Sequence, residues 1–240
     1  MRVDLELVCP FCAKNYVQHN GKNYINEEHV PPKCLFIHKR DKHGLITIPS
    51  CKDCNQGTSI IDEKFKINLG IYLESDSEDK EVFYGSMLRT LNHKPSWRNE
   101  ILSKISDILL PYNRGYGHPI ALDSEVLYLG ARKIIRGLHW RVTGEVLPAS
   151  DEPTVKLLEQ GSNSIKLDAK TREIFDEFGK VIEKCGDIFK VVYAVPVDCK
   201  SASMWLISFY GENVFLGFTH PSIPIEKQKI YNLADYSWAI

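Results

Sequence analysis

Two cysteine pairs, Cys9-Pro10-Phe11-Cys12 and Cys51-Lys52-Asp53-Cys54, are separated by 38 residues. A CxxC turn points both sulfurs at one place, and two such turns can close a tetrahedral S4 shell around zinc. One pair alone would fit a redox-active dithiol. Two pairs in one short segment favour a structural metal site instead. The chain has seven cysteines, an odd number that argues against a fully paired disulfide framework. In a reducing compartment, closely spaced cysteines are better explained as metal ligands. Residues 1–70 also show little apolar core, so metal binding would supply much of their folding free energy. Cys34, Cys185 and Cys199 have no such neighbour and read as buried or surface thiols.

Between the pairs runs Asn26-Glu27-Glu28-His29-Val30-Pro31-Pro32-Lys33, and Asn55 directly follows the last cysteine. Glu-His-Val-x-Pro between two CxxC pairs, with that asparagine, resembles the HNH endonuclease family of ββα-metal nucleases. More narrowly it is similar to zinc-containing members with EHVxPKxLF followed by LITxPSCxxCN. The stretches here are EHVPPKCLF and LITIPSCKDCN, and the likeness covers about residues 7–70. It implies an N-terminal ββα-metal fold stapled by zinc on Cys9, Cys12, Cys51 and Cys54. It further implies a catalytic Mg²⁺ or Mn²⁺ held by Glu28 and Asn55, with His29 as the general base. The family usually has Asp before the histidine; Glu keeps the charge with a longer reach. The middle asparagine of the family motif has no match, although His43 falls near its place. Asp62 and Glu63, in GTSIIDEKF, match an acidic pair of the narrower group and are expected to support the helix or add an ion contact.

Phosphodiester hydrolysis needs a nucleophilic water, neutralised phosphate oxygens and help for the leaving oxygen. One hard cation on oxygen ligands, with open positions, serves the last two needs. A histidine with an ordinary pKa near 6.5 can take the water proton at neutral pH. Neighbouring side chains on a strand point to opposite faces. Glu28 and His29 therefore share a site only if the backbone bends, as Pro31-Pro32 allows, or if metal and water approach different faces of the strand end. Other readings stay open. Asn55 caps the following helix alone or while also binding metal, Glu27 replaces Glu28 in a shifted register, and Lys33 contacts phosphate or is solvated. The rival function is a non-catalytic zinc module for nucleic acid or protein, which needs the four cysteines but not His29. An HNH-like fold without activity is a further alternative.

The elements that must position these residues divide the chain into a zinc-stapled nuclease domain over 1–72 and an α+β region over 73–240. The first segment has a short, broken pattern with no long helical period. The charged run ESDSEDKE that follows reads as a surface loop. A helix is expected on Trp97, Ile101, Ile105, Ile108 and Leu109, ended by Pro111. LDSEVLYLGARKIIRGLHW carries a helical stripe with Ser124 as its cap, and 152–160 and 170–185 read as two more helices. IFKVVYAVPV is a strand, and MWLISFY and VFLGFTH form a hairpin around Gly211-Glu212-Asn213. This region would recognise substrate, form a homodimer or bind a protein partner.

With 43% hydrophobic and 25% charged residues, the composition is that of an ordinary globular protein. No run approaches the roughly 18 apolar residues of a membrane span, and the start lacks the features of a secretory signal. Cytoplasm is the expected location. The formal net charge is −1; residues 1–70 hold ten Lys/Arg against eight Asp/Glu. A nucleic-acid surface must therefore be a local patch. The candidates are the basic cluster Arg132, Lys133, Arg136, His139 and Arg141, with Trp97, Tyr112, Tyr116, Trp140 and Trp205 available for base stacking. A solvated helix face and core packing are the respective alternatives. DNA is the favoured substrate, and a metal centre of this type does not by itself reject RNA.

Overall fold

The computed structural model describes residues 5–18, 25–36, 45–71, 78–109, 124–158, 160–161, 164–165, 167–184 and 188–220. Helices and antiparallel sheets mix in an α+β architecture. Strand β1 (Leu5–Val8) pairs with β2 (Asn15–Gln18), and the turn between them carries Cys9 and Cys12. Strand β3 (Ile25–Val30) pairs with β4 (Ile46–Cys51), setting Glu28 opposite Ile48 and His29 opposite Thr47. The pleat then sorts the side chains. Glu28, Val30, Ile48 and Ser50 are buried on one face, whereas Glu27 and Thr47 are exposed and His29 half-buried on the other.

Helix α1 (Lys52–Gly57) starts where β4 ends, and α2 (Ser59–Ile71) continues it after a short break. The 13-residue α2 supplies the long helical element that the pattern of residues 1–70 had not suggested. Helices α3 (Glu78–His93) and α4 (Pro95–Leu109) follow; α4 is the helix expected on Trp97 and Ile101. The second half of ESDSEDKE is not loop: Glu78–Glu81 form the first turn of α3. Residues 74–77 and Pro111 lie outside the described residues.

Helix α5 (Ser124–Thr143) is the spine of the molecule and is buried on nearly all sides. It packs on α2, on β3 and on the C-terminal sheet. Two glycines permit this approach. A Cβ on Gly130 would lie 2.4 Å from the Phe65 ring, and one on Gly137 would lie 2.7 Å from both Ile48 and Val30.

The C-terminal sheet corrects two sequence expectations. Residues 152–160 are not a helix: β5 (Thr154–Leu158) is a strand whose residues pair with the last strand of the sheet. TVKLL alternates outward and inward, a period of two that its adjacent leucines hide. After the short hairpin β6 (Gln160–Gly161) and β7 (Ser164–Ile165), the expected 170–185 helix splits. Helix α6 (Ala169–Phe178) is capped by Asp168, which accepts from the Thr171 N–H at 2.9 Å. Gly179 then turns the chain into β8 (Lys180–Lys184). Strands β9 (Phe189–Ala194), β10 (Ser203–Phe209) and β11 (Asn213–Thr219) complete the antiparallel order β5-β11-β10-β9-β8. The β10–β11 turn sits one residue earlier than expected, with Tyr210 and Gly211 both at positive φ (54° and 70°). That is the twist-matched geometry of a tight hairpin.

One core joins both parts of the chain. Val30, Leu35, Ile48, Phe65 and Leu69 pack in the same cluster as Ile135, Trp205, Phe209 and Phe215. The edge-on Phe65–Phe209 pair, with ring centroids 5.6 Å apart, lies at its centre. No helix among the described residues is long and apolar enough to cross a membrane.

Candidate metal centre and carboxylate site

The four sulfurs of Cys9, Cys12, Cys51 and Cys54 lie within 4.8 Å of one another. Cys12 and Cys51 are 3.9 Å apart, close to the ~3.8 Å between ligands in a tetrahedral shell with 2.3 Å metal–sulfur bonds. The first turn is fixed by backbone bonds from Ala13 to Cys9 (2.9 Å) and from Cys9 to Lys14 (3.0 Å), with Ala13 in the left-handed region at φ 56°. The second turn is the β4–α1 junction: Cys51 caps α1, its sulfur accepting from the Cys54 N–H at 3.3 Å. The Cys51 N–H in turn points at the Cys9 sulfur, 3.4 Å away. Hydrogen bonding from Cys54 draws the Cys9 thiol down to about 4 against the opposing effect of burial, helped by the backbone N–H groups of Cys51, Phe11 and Cys12. Tyr16 reaches the rim of the cluster, with its hydroxyl 3.8 Å from the Cys12 sulfur. Burial raises the Cys12 thiol and the hydrogen bond to Cys9 raises that of Cys54, so what the geometry itself supplies is four converging sulfurs, the donor set of a soft-to-borderline metal.

Next to this cluster, the structure brings two of the sequence candidates into direct contact. Asn55, on α1, donates from Nδ2 to Glu28 Oε2 at 2.6 Å and to the Glu27 carbonyl at 3.2 Å. The cap of α1 is Cys51, so Asn55 is not the capping residue. Glu28 is 6% exposed. His29 is half-buried on the other face of β3. Burial first, and then the Lys33 charge, pulls its pKa below the ordinary 6.5, with Glu27 opposing. Lys33 and Glu27 are exposed.

The other carboxylate oxygen of Glu28 meets a partner that the sequence had not suggested. Lys133 Nζ, from α5, lies 2.8 Å from Glu28 Oε1, 2.8 and 2.9 Å from the two oxygens of Asp62, and 2.7 Å from the Thr58 hydroxyl. Asp62 thus joins the site, and burial raises its pKa while Lys133 opposes that rise. Glu63 instead pairs with Lys94, the residue between α3 and α4. The signal for Lys133 lay in helical arithmetic: it is three residues after Gly130 and four before Gly137, on the arc that faces α2 and β3.

This burial corrects the basic cluster. Lys133, Arg136 and His139 are 9%, 4% and 0% exposed, so they form neither a phosphate-binding stripe nor a solvated face. Arg136 donates to the carbonyls of Leu147, Pro148 and Asp151. His139 Nδ1 is 3.2 Å from Ser203 Oγ, in a network with Trp205 and Thr219. Arg132 is half-buried and its Nε donates to the Pro153 carbonyl, while Arg141 is exposed. Trp205 is fully buried and stacks on Tyr193 (5.4 Å), and Trp97 packs under the Lys94 ammonium (3.9 Å). Trp140 and Arg141 line a groove of about 820 Å³ against Asn26, Glu27, Thr47 and Pro49 of the hairpin. Cys34 is tied to the Asp62 carbonyl at 3.5 Å, and burial pushes its thiol up to about 12. Cys199 lies 3.4 Å from the Ser201 hydroxyl. His43, Tyr112, Tyr116 and Cys185 lie outside the described residues.

No protein-family model, no curated protein and no solved structure matches this chain.

Proposed function

We propose that this protein is a metal-dependent endonuclease of ββα-metal type that hydrolyses phosphodiester bonds, with DNA as the favoured substrate. Zinc on Cys9, Cys12, Cys51 and Cys54 is the scaffold. Mg²⁺ or Mn²⁺ on Glu28 and Asn55 is the catalytic ion, and His29 is the base. The observation that carries this reading is the 2.6 Å contact between Glu28 and Asn55, two residues 27 apart. It lies where β3 and β4 hand over to α1, a strand-strand-helix order that supports the finer fold assignment.

The donor chemistry fits a hard divalent ion. Glu28, Asp62 and Thr58 offer only oxygen and already surround a positive charge, the Lys133 ammonium. Asn55 faces Glu28 with its amide nitrogen and binds metal by turning that amide over. When bound, the divalent ion supplies Lewis acidity to a phosphate oxygen and the leaving oxygen. Glu28 anchors the charge from the buried strand face. His29, uncharged, takes the proton of the attacking water; a new P–O bond forms, the P–O3′ bond breaks and the departing oxygen takes a proton from solvent. The groove beside Thr47, with Trp140 and Arg141 on its wall, offers a surface along which a strand can run.

One observation favours the rival reading, a non-catalytic zinc module. Both carboxylate oxygens of Glu28 are engaged by protein partners, as in a saturated structural network. Cleavage separates the two. Zinc-loaded protein is titrated with Mg²⁺ or Mn²⁺ on supercoiled DNA, duplex and single-stranded oligonucleotides, and RNA. His29→Ala is expected to abolish cleavage while zinc content and melting temperature stay unchanged. If the native protein cuts none of these substrates with either ion, the binding-module reading prevails.

A further inference from the structure

We infer that Lys133 is a resident counter-cation that keeps the divalent ion at Glu28 exchangeable and leaves the loaded site positively charged toward a phosphodiester. The inference rests on the nuclease reading for the role of Glu28 as an ion ligand. Its own basis is the placement of one buried ammonium.

Lys133 is 9% exposed and sits 105 residues along the chain from Glu28. Four oxygens from β3, the α1–α2 junction and α2 lie within 2.9 Å of Nζ. The ring of Phe11, from the first cysteine turn, completes the surroundings at 6.0 Å. Gly130 and Gly137 bring the backbone of α5 close enough for this reach, since a Cβ at either would collide with Phe65 or with Val30 and Ile48. The two oxygens of Glu28 are divided between partners: Lys133 holds Oε1 and Asn55 holds Oε2. Glu28 Oε2 and Asn55 would hold the divalent ion, which leaves Lys133 its place on Oε1.

The charges then set the behaviour. Glu28 and Asp62 bring two negative charges and Lys133 one positive, so the cluster holds one negative charge in excess. A buried excess charge is costly and attracts a counter-ion. A divalent ion reverses the sign and leaves one positive charge, which complements the single negative charge of a phosphodiester. Were Lys133 uncharged, the two carboxylates would neutralise the ion completely. The ion would be held more tightly, and no charge would remain for phosphate.

The test uses the full zinc-loaded chain and Mn²⁺, with free Mn²⁺ read by electron paramagnetic resonance, so that metal affinity is measured apart from activity. Lys133→Met is expected to tighten Mn²⁺ binding by about tenfold or more, and Asp62→Asn to weaken it by a similar factor. Lys133→Arg keeps the charge but not the compact ammonium, and is expected to tighten Mn²⁺ binding less than Lys133→Met does. In a His29→Ala background with saturating Mn²⁺, Lys133→Met is expected to weaken binding of a short DNA duplex and lower its salt slope by about one. Unchanged or weaker Mn²⁺ binding in Lys133→Met overturns the inference. If that variant does not fold, Mn²⁺ affinity in Asp62→Asn equal to or tighter than native overturns it instead. Glu28→Gln separates the two readings. If it leaves Mn²⁺ binding intact, Glu28 is not the ion ligand and the nuclease reading fails. If it abolishes binding while Lys133→Met changes nothing, only the role given to Lys133 fails.

Discussion

Gly130→Ala tests the close approach of α5 on which the site depends. The added Cβ would stand 2.4, 2.6 and 2.9 Å from three atoms of the Phe65 ring. Carbon atoms in contact settle at about 3.5–4.0 Å, so ring or helix must give by roughly 1 Å. The ring has little freedom, because Phe65 is fully buried and wedged against Phe209 and Phe215 at 5.6 and 6.1 Å. Overpacking of this kind costs about 1–3 kcal/mol, while alanine returns about 1 kcal/mol of helix propensity. Three ring atoms in conflict place the cost at the upper end, for a net loss of about 2 kcal/mol. For a chain of this length that lowers Tm by about 4–8 °C. Thermal and urea melts of the zinc-loaded protein measure the effect. Gly85→Ala on α3 is the control: its Cβ meets nothing nearer than Arg89 at 3.6 Å, and it should be neutral or stabilising by up to about 1 kcal/mol. A Gly130→Ala protein as stable as native, or gaining as Gly85→Ala does, refutes the packing argument.

Two further predictions follow from the metal cluster and from a buried imidazole. Cys51→Ala removes one sulfur of the four-cysteine cluster and the cap of α1 together. Structural zinc contributes about 10–16 kcal/mol in small domains, comparable to or above the ~5–15 kcal/mol net stability of most proteins. Elemental analysis should show no retained zinc, with loss of cooperative melting; a native melt without metal would contradict this. Burial, reinforced by the Arg136 charge, pulls His139 down to about 4. Its folded value lies below its unfolded value near 6.5, so the stabilisation is full above that pH and lost as pH falls toward 4. The loss amounts to about 3 kcal/mol in urea melts between pH 7 and pH 4. His139→Gln should flatten the profile, and an unchanged acid profile in that variant would exclude His139 as the cause.

What the sequence revealed was local chemistry, and what it concealed was set by distant partners. The CxxC pairs act through turns of a few residues, so their convergence could be read directly. The same holds for the hairpin at Gly211 and for α4, whose apolar spacing needs no knowledge of its neighbours. Lys133 is the opposite case. Among Arg132, Arg136 and Arg141 it looked like part of a cationic face, but its fate was decided by Glu28 and Asp62, 105 and 71 residues away. TVKLL was misread because adjacent leucines suit a short helix as well as a strand; pairing with β11 settled the matter. His29 and Glu28 were expected to share a site either through a backbone bend or by metal and water approaching different faces of the strand end. The strand keeps its alternation, and Asn55 reaches both the Glu27 carbonyl and the Glu28 carboxylate.

The long separation between Glu28 and Lys133 also orders events during synthesis. A ribosome that has made the cysteine turns, the hairpin and α2 has produced every sulfur and oxygen of the centre but not yet its ammonium. Phe65 and Leu69 at that moment lack α5 and the sheet that later cover them. The pocket therefore closes only after Lys133 has emerged, 105 residues behind Glu28, so assembly of the centre reports that α5 has been made.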